Sequence, residues 1–142
     1  MAYDKESGVL SSNQSDQPVR CRGVRGAVTA EGNTPEAILA ATHDLLTALI
    51  EANHIDPDDV ASMIITTTVD LNAEYPAVAA RRLGWLDVAI LCGHEMDVPH
   101  GLKKCIRILI HWNTTHTAHE IQHIYLGEAQ TLRPDRAVHL TS

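Results

Sequence analysis

The stretch Asp97–Ile110, DVPHGLKKCIRILI, decides which fold the sequence describes. Asp97 suits a helix cap, and Pro99 is tolerated in a first helical turn. Leu102, Cys105, Ile106, Leu109 and Ile110 then recur at the spacing of one helical face. This spacing predicts a third helix with those residues on its inner side and Arg107 just beside them. Upstream, Asp87–Leu91 reads as a buried strand. Tyr75-Pro76 opens a short second helix that runs through Ala77, Ala80 and Leu83 and stops at Gly84. Ser62–Thr68, SMIITTT, is dense in β-branched residues and reads as a strand. A helical turn over 57–60 precedes it.

Nearer the start, Thr34-Pro35 is a capped helix start. Ile38, Thr42, Leu45, Leu46 and Leu49 form its stripe, and the helix ends near Ala52-Asn53. Cys21–Thr29 reads as a first strand, with Gly23 and Gly26 marking close backbone approach. A turn follows at Glu31-Gly32-Asn33. Residues 121–133 contain a last strand, with room for a hairpin partner. Strands and helices in alternation give a mixed α/β or α+β domain. Residues 1–18, rich in Ser, Asp, Asn and Gln, read as a disordered leader, and 19–142 as a single domain.

The chain has 142 residues and no Phe, so its core must rest on Leu, Ile, Val and Ala. A net charge of −7 argues against a nucleic-acid surface, which needs clustered Lys and Arg. It does not argue against a local arginine pocket for a small anion. The first residues lack the basic and apolar regions of a secretory signal. No stretch is long and apolar enough for a membrane span. Three cysteines, Cys21, Cys92 and Cys105, form no paired framework. A cytoplasmic protein is expected.

His116, His119 and His123 are spaced for one helical face, but no carboxylate or cysteine completes a metal pattern. Solvated surface is the better account, and neither a metal nor a cofactor is expected. Cys92, at a strand end near His94 and Glu95, is a weak candidate nucleophile. Cys105 reads as structural. Arg25, Arg81, Arg107 and Arg133 are either solvated or, if gathered at a sheet edge, a cluster that reads carboxylates through charge-assisted forks. Glu95, at a strand exit, is either a ligand carboxylate or a surface residue.

Several ordered blocks go further. Arg22-Gly23-Val24-Arg25-Gly26-Ala27, Asp70-Leu71, Tyr75-Pro76-Ala77, Ala80-Arg81 and Gly84-Trp85 come first. Glu95-Met96-Asp97-Val98, Gly101-Leu102-Lys103-Lys104-Cys105-Ile106-Arg107, His123-Ile124-Tyr125-Leu126 and Leu132-Arg133-Pro134-Asp135 follow. From Arg22 to Asp135 the chain resembles the monofunctional, trimeric chorismate mutases of the Bacillus type. The resemblance implies an α+β fold: a mixed, mostly antiparallel sheet with helices on one side, in a ferredoxin-like layout. It also implies a homotrimer with a barrel-like core and active sites between neighbours. The implied activity is the rearrangement of chorismate to prephenate in phenylalanine and tyrosine biosynthesis. By position, Arg107 lies beside the breaking ether bond, Glu95 and Cys92 near the ring hydroxyl, and Arg25 and Tyr125 on carboxylates. Tyr75, Ala77, Ile90, Leu91 and Leu132 line the cleft. Arg81 comes from the adjacent subunit, and Arg133 is a C-terminal arginine that helps close the site. Val78 stands where the family has a lysine, Tyr75 where it has Phe, Leu91 for a threonine and Ile90 for a valine, and one residue is missing between Leu83 and Gly84. An imine deaminase with a similar trimer, or a metabolite-binding trimer without catalysis, are the alternatives.

Overall fold

In the structure, a computed structural model that describes residues 17–133, Cys105–Thr114 is a strand and not a helix. The helical stripe expected over 97–110 mixes the two faces of that strand. Ile106 and Ile110 are buried, and so is Ile108, which the stripe leaves out; Arg107 is exposed between them. Period two therefore wins over period 3.6, helped by stiff β-branched isoleucines. The preceding 95–104 segment is irregular, and Lys104 takes a left-handed conformation (φ 53°) that ends any helical path.

The elements run β1 (Arg20–Thr29), α1 (Pro35–Asn53), β2 (Val60–Thr67), α2 (Ala77–Arg82), β3 (Ala89–His94), β4 (Cys105–Thr114) and β5 (Ile124–Tyr125). Short 3-10 turns occupy Pro57–Asp59, Ala118–Glu120 and Gly127–Leu132. The sheet order is β3-β2-β4-β1-β5. β4 pairs antiparallel with both β1 and β2, the longest ladders, while β2–β3 and β1–β5 are parallel. The fold is thus α+β with a mixed, mostly antiparallel sheet. β1–α1–β2 with β4 inserted between is the split βαβ of a ferredoxin-like layout. The second half departs from that layout, because α2 leads from β2 to a parallel neighbour. The last strand lies within the expected 121–133 stretch and joins β1 in parallel, with no hairpin partner among the described residues. The leader expected over 1–18 lies outside the described residues except for Gln17 and Pro18.

Both helices cover one face of the sheet. The Thr34 hydroxyl accepts from the Ala37 amide at 3.1 Å, starting α1 as its sequence predicts. Ile38, Leu45, Leu46 and Leu49 of α1 meet Val24, Met63, Ile65, Ile106, Ile108 and Ile110 of the sheet. At the far end of α1, the Asn53 side chain donates to the Gln122 carbonyl and accepts from the Gln122 amide, 2.9 and 2.8 Å. That clamp holds the chain entering β5, and with it Tyr125. Gly26 lets α1 lie close to β1: a Cβ there would come within 2.9 Å of the Leu45 side chain and of the Ile124 carbonyl.

Gly26→Ala is expected to lower stability by about 1–3 kcal/mol, the usual effect of forcing a methyl into a filled core. Gly32→Ala, at a site with open space and no left-handed strain, serves as the control. Urea midpoints of the two variants would separate widely; matching midpoints would contradict the close packing of α1 on β1.

Candidate active site

Strand pairing sets Gly93, Thr66, Arg107, Ala27 and Tyr125 in one row across β3, β2, β4, β1 and β5. Paired residues share a face. This row lies on the side away from the helices, because its neighbours along β4, Ile106 and Ile108, face the main core. Arg25, two residues before Ala27, is on the same side. So is Glu95, two residues beyond Gly93, with its amide donating to the Thr67 carbonyl at 2.8 Å. Five strands therefore bring two arginines, one carboxylate, one phenol and one hydroxyl to a single open face. A hollow of about 180 Å³ lies among Arg25, Thr66, Glu95, Arg107 and Tyr125.

The charged groups are partly open. Arg107 Nε is 3.7 Å from Glu95 Oε2, with half of the arginine side chain and a third of the glutamate side chain exposed. The Thr66 hydroxyl donates to the same Glu95 oxygen. The Arg25 amide donates to His123 Nδ1 at 3.0 Å, which pins the β1 backbone beside the hollow.

The floor is apolar. Ala27, Cys105, Tyr125 and Ala129 form a small core on this face, with Leu102 and Leu132 against it. Gly127, in the left-handed region (φ 60°), turns the chain off β5 so that the 3-10 turn can deliver Ala129 and Leu132 there. Burial pushes the Cys105 thiol pKa up, so this cysteine is a packed, inert group, as expected. Arg133, the last described residue, follows Leu132 and is half-buried.

The other expected site residues stand apart within one chain. Cys92 and Ile90 face the helix layer, against the main core. Cys92 also borders a second hollow of about 420 Å³, with Tyr75, Asn72, Glu74 and His94. Ala77 is buried in α2, and Arg81 is exposed one turn on. Tyr75 is 70% exposed and Leu91 68%. One chain thus carries two groups, a charged row on the open face and a wall around β3 and α2. The histidines 116, 119 and 123 do not share a helix. His116 sits edge-on to Trp112, His123 meets the Arg25 amide, and His119 is exposed; among the described residues no cluster of three metal-ligating side chains forms.

Thr66 was missed in the sequence because its partner row exists only once Arg107 is known to lie in a strand. Asp70 was noticed only as part of a matching block. Its carboxylate accepts from the Lys104 amide at 2.9 Å, while the Cys105 amide donates to the Thr68 hydroxyl at 3.0 Å. This corner fixes where β4 begins, and so where Arg107 falls. Burial works to raise the Asp70 pKa, but the Thr68 hydroxyl and the Lys104 amide together outweigh it, leaving the carboxyl below its ordinary value.

Two cations, one carboxylate and a phenol over a small apolar floor are chemically suited to a compact anion. Residues 21–136 match the family described as chorismate mutase type I. The chain is 48% identical over 115 residues to the chorismate mutase AroH of Bacillus subtilis (strain 168), covering 80% of this chain and 91% of that protein. It is 46% identical over 115 residues to the chorismate mutase AroH of Thermus thermophilus, covering 80% and 94%. The solved chorismate mutase from Clostridium thermocellum superposes with a TM-score of 0.76 at 44% identity, covering 78% of this chain and 98% of that one. The chain belongs to the type I chorismate mutase family.

The Asp70 corner has a pH signature. A depressed folded pKa contributes stability above the unfolded value, and that contribution is lost as pH falls through the folded one. Relative to Asp70→Asn, the native protein should have its largest advantage in urea midpoint near neutral pH and lose it as the pH falls below the ordinary carboxylate range. A gap that stayed constant across that range would show that the Asp70 charge does not hold the corner.

Proposed function

We propose that this chorismate mutase, which converts chorismate to prephenate, acts through Arg107, Glu95 and Arg25 on the open sheet face. The observation that carries the assignment is the opposed Arg107–Glu95 pair, set by register beside Arg25 and Tyr125. The reaction is unimolecular: one carbon–oxygen bond breaks as one carbon–carbon bond forms. It requires no proton transfer, so the site needs a fixed pattern of charge rather than an acid–base pair. In the transition state the ether oxygen gains negative character and the ring gains positive character. Arg107 faces the oxygen, and Glu95 faces the ring through its hydroxyl. Such groups accelerate the reaction because they are already oriented when the charge develops. Arg25 and Tyr125 hold the carboxylates so that the side chain folds over the ring. Arg133, following Leu132 at the rim, adds a cation that closes over the substrate.

The complete cleft, in this reading, lies between copies in a homotrimer. Tyr75, Leu86, Leu91 and Met96 are exposed in the single chain, which supports a neighbour packing against that edge. Tyr75, Ala77, Arg81, Ile90, Leu91 and Cys92 then supply the wall for an adjacent copy's charged row. Val78, half-buried on α2, leaves the rim one positive charge poorer than the family pattern, so substrate capture is weakened more than turnover. No helix among the described residues is long and apolar enough to cross a membrane. The free thiols Cys21, Cys92 and Cys105 support a reducing, cytoplasmic setting.

Chorismate disappearance, followed by absorbance with prephenate identified as product, should survive chelator treatment. Arg107→Ala should lower turnover by about 10²–10³-fold, or ~3–4 kcal/mol. Arg107→Lys should recover only part, because an ammonium lacks the guanidinium fork. Undiminished turnover in Arg107→Ala would remove it from the mechanism. The shared cleft has its own test. Arg81→Ala and Arg107→Ala subunits, unfolded together and reassembled, should exceed the mean activity of the two parents, since some clefts then hold neither defect. Mixtures that stay at the mean would place each site within one chain.

A further inference from the structure

Glu95 stands outside the strand ladders. It lies just past the end of β3, at the start of the irregular 95–104 segment, with its amide donating to the Thr67 carbonyl. A glutamate side chain in such a place has several rotamers to choose from. Arg107 Nε lies 3.7 Å from Glu95 Oε2 on a face only half covered, and opposite charges so placed tend to close into a direct pair. A closer, two-oxygen pair with the guanidinium would engage both Glu95 oxygens and leave neither for the substrate hydroxyl.

Thr66 stands where it can prevent this. It is the strand partner of Arg107 on one side and of Gly93 on the other, and Gly93 brings no side chain to the face. The Thr66 hydroxyl donates to Glu95 Oε2, the oxygen nearest Arg107. A neutral donor holds the carboxylate without cancelling its charge, which a second cation would do. With Oε2 engaged, Oε1 is left for a ligand. Resting on the mutase reading above, we infer that Thr66 is a positioning residue for the rearrangement: its hydroxyl holds the Glu95 carboxylate so that only Oε2 faces Arg107 and Oε1 is turned toward the ring hydroxyl of the substrate. The hydroxyl, rather than the β-branched shape, does this.

The two roles separate by substitution. Thr66→Val keeps the shape and loses the donor; Thr66→Ser keeps the donor and loses the methyl. Steady-state kinetics with chorismate should show kcat about tenfold lower in Thr66→Val with KM changed little, the loss typical of one hydrogen bond to a charged group. Thr66→Ser should stay within about threefold of the native kcat. Thr66→Ala, which can clash with nothing, should repeat the Val result. In a Glu95→Gln background, Thr66→Val should have almost no further effect, because the two residues act as one unit. Full kcat in Thr66→Val, a Ser variant as slow as Val, or the same loss with and without Glu95→Gln would each overturn the inference. A native protein without mutase activity would instead sink the functional reading, whatever the Thr66 variants do.

Discussion

Everything in this protein depends on the alternation of side chains along β4. Ile106, Ile108, Ile110 and Trp112 go to the helix layer and are buried, while Cys105, Arg107 and Leu109 go to the other face. A shift of one residue in that strand would put Arg107 into the core and an isoleucine into the site. The cost would be prohibitive on both sides, since a buried guanidinium without partners loses far more than any packing recovers. Each isoleucine buried correctly contributes roughly 1.5–3 kcal/mol. The apolar side therefore fixes the register, and the register fixes the chemistry. The Asp70–Lys104 and Thr68–Cys105 bonds reinforce it at the strand's start, where slippage would begin.

A pairing scheme of this kind suits a site made of charge. Arg107, Thr66 and Tyr125 come from strands flanked by other strands or by the α1 clamp through Asn53, so their backbones have little freedom. Catalysis by preorganised groups loses its advantage if those groups must reorganise. The one member placed outside the ladders is Glu95. It is also the one given a side-chain donor from a central strand, which is the compensation a mobile carboxylate requires.

How far the chain could be read in advance follows from the same physics. α1 was legible because Thr34, Pro35 and the Ile38–Leu49 stripe agree on a helix, and nothing competes. β1 was legible from Val24, Ala27 and Val28, although Gly23 and Gly26 weaken a strand signal, and β2 from the β-branched 62–68 run. β4 was misread as a helix because Leu102, Cys105, Ile106, Leu109 and Ile110 satisfy helical spacing while Ile106, Ile108 and Ile110 satisfy strand spacing; only the layer they pack against decides. The resemblance named Arg107 and Glu95 although the periodicity put Arg107 on the wrong element, since matching motif blocks does not require knowing their secondary structure. It could not name Thr66, whose role exists only through pairing with a strand that the local pattern hid.

The separation of Tyr75 and Arg81 from the charged row also has a physical sense. α2 ends one residue before a turn at Leu83-Gly84, and β3 is an edge strand, so this wall lies at the rim of the sheet. The two arginines of the row, Arg25 and Arg107, lie on inner strands. A sheet that kept both on one surface would have to curl over a small anion and bury two arginines in its own core. In the trimer proposed above, a row left open on one copy and a wall borrowed from another would avoid that cost: the cations would stay half-exposed until a surface apolar at Leu91 and Tyr75 covered them together with the substrate's carboxylates. On that proposal water is excluded when the anion is present to compensate the charge, and not before.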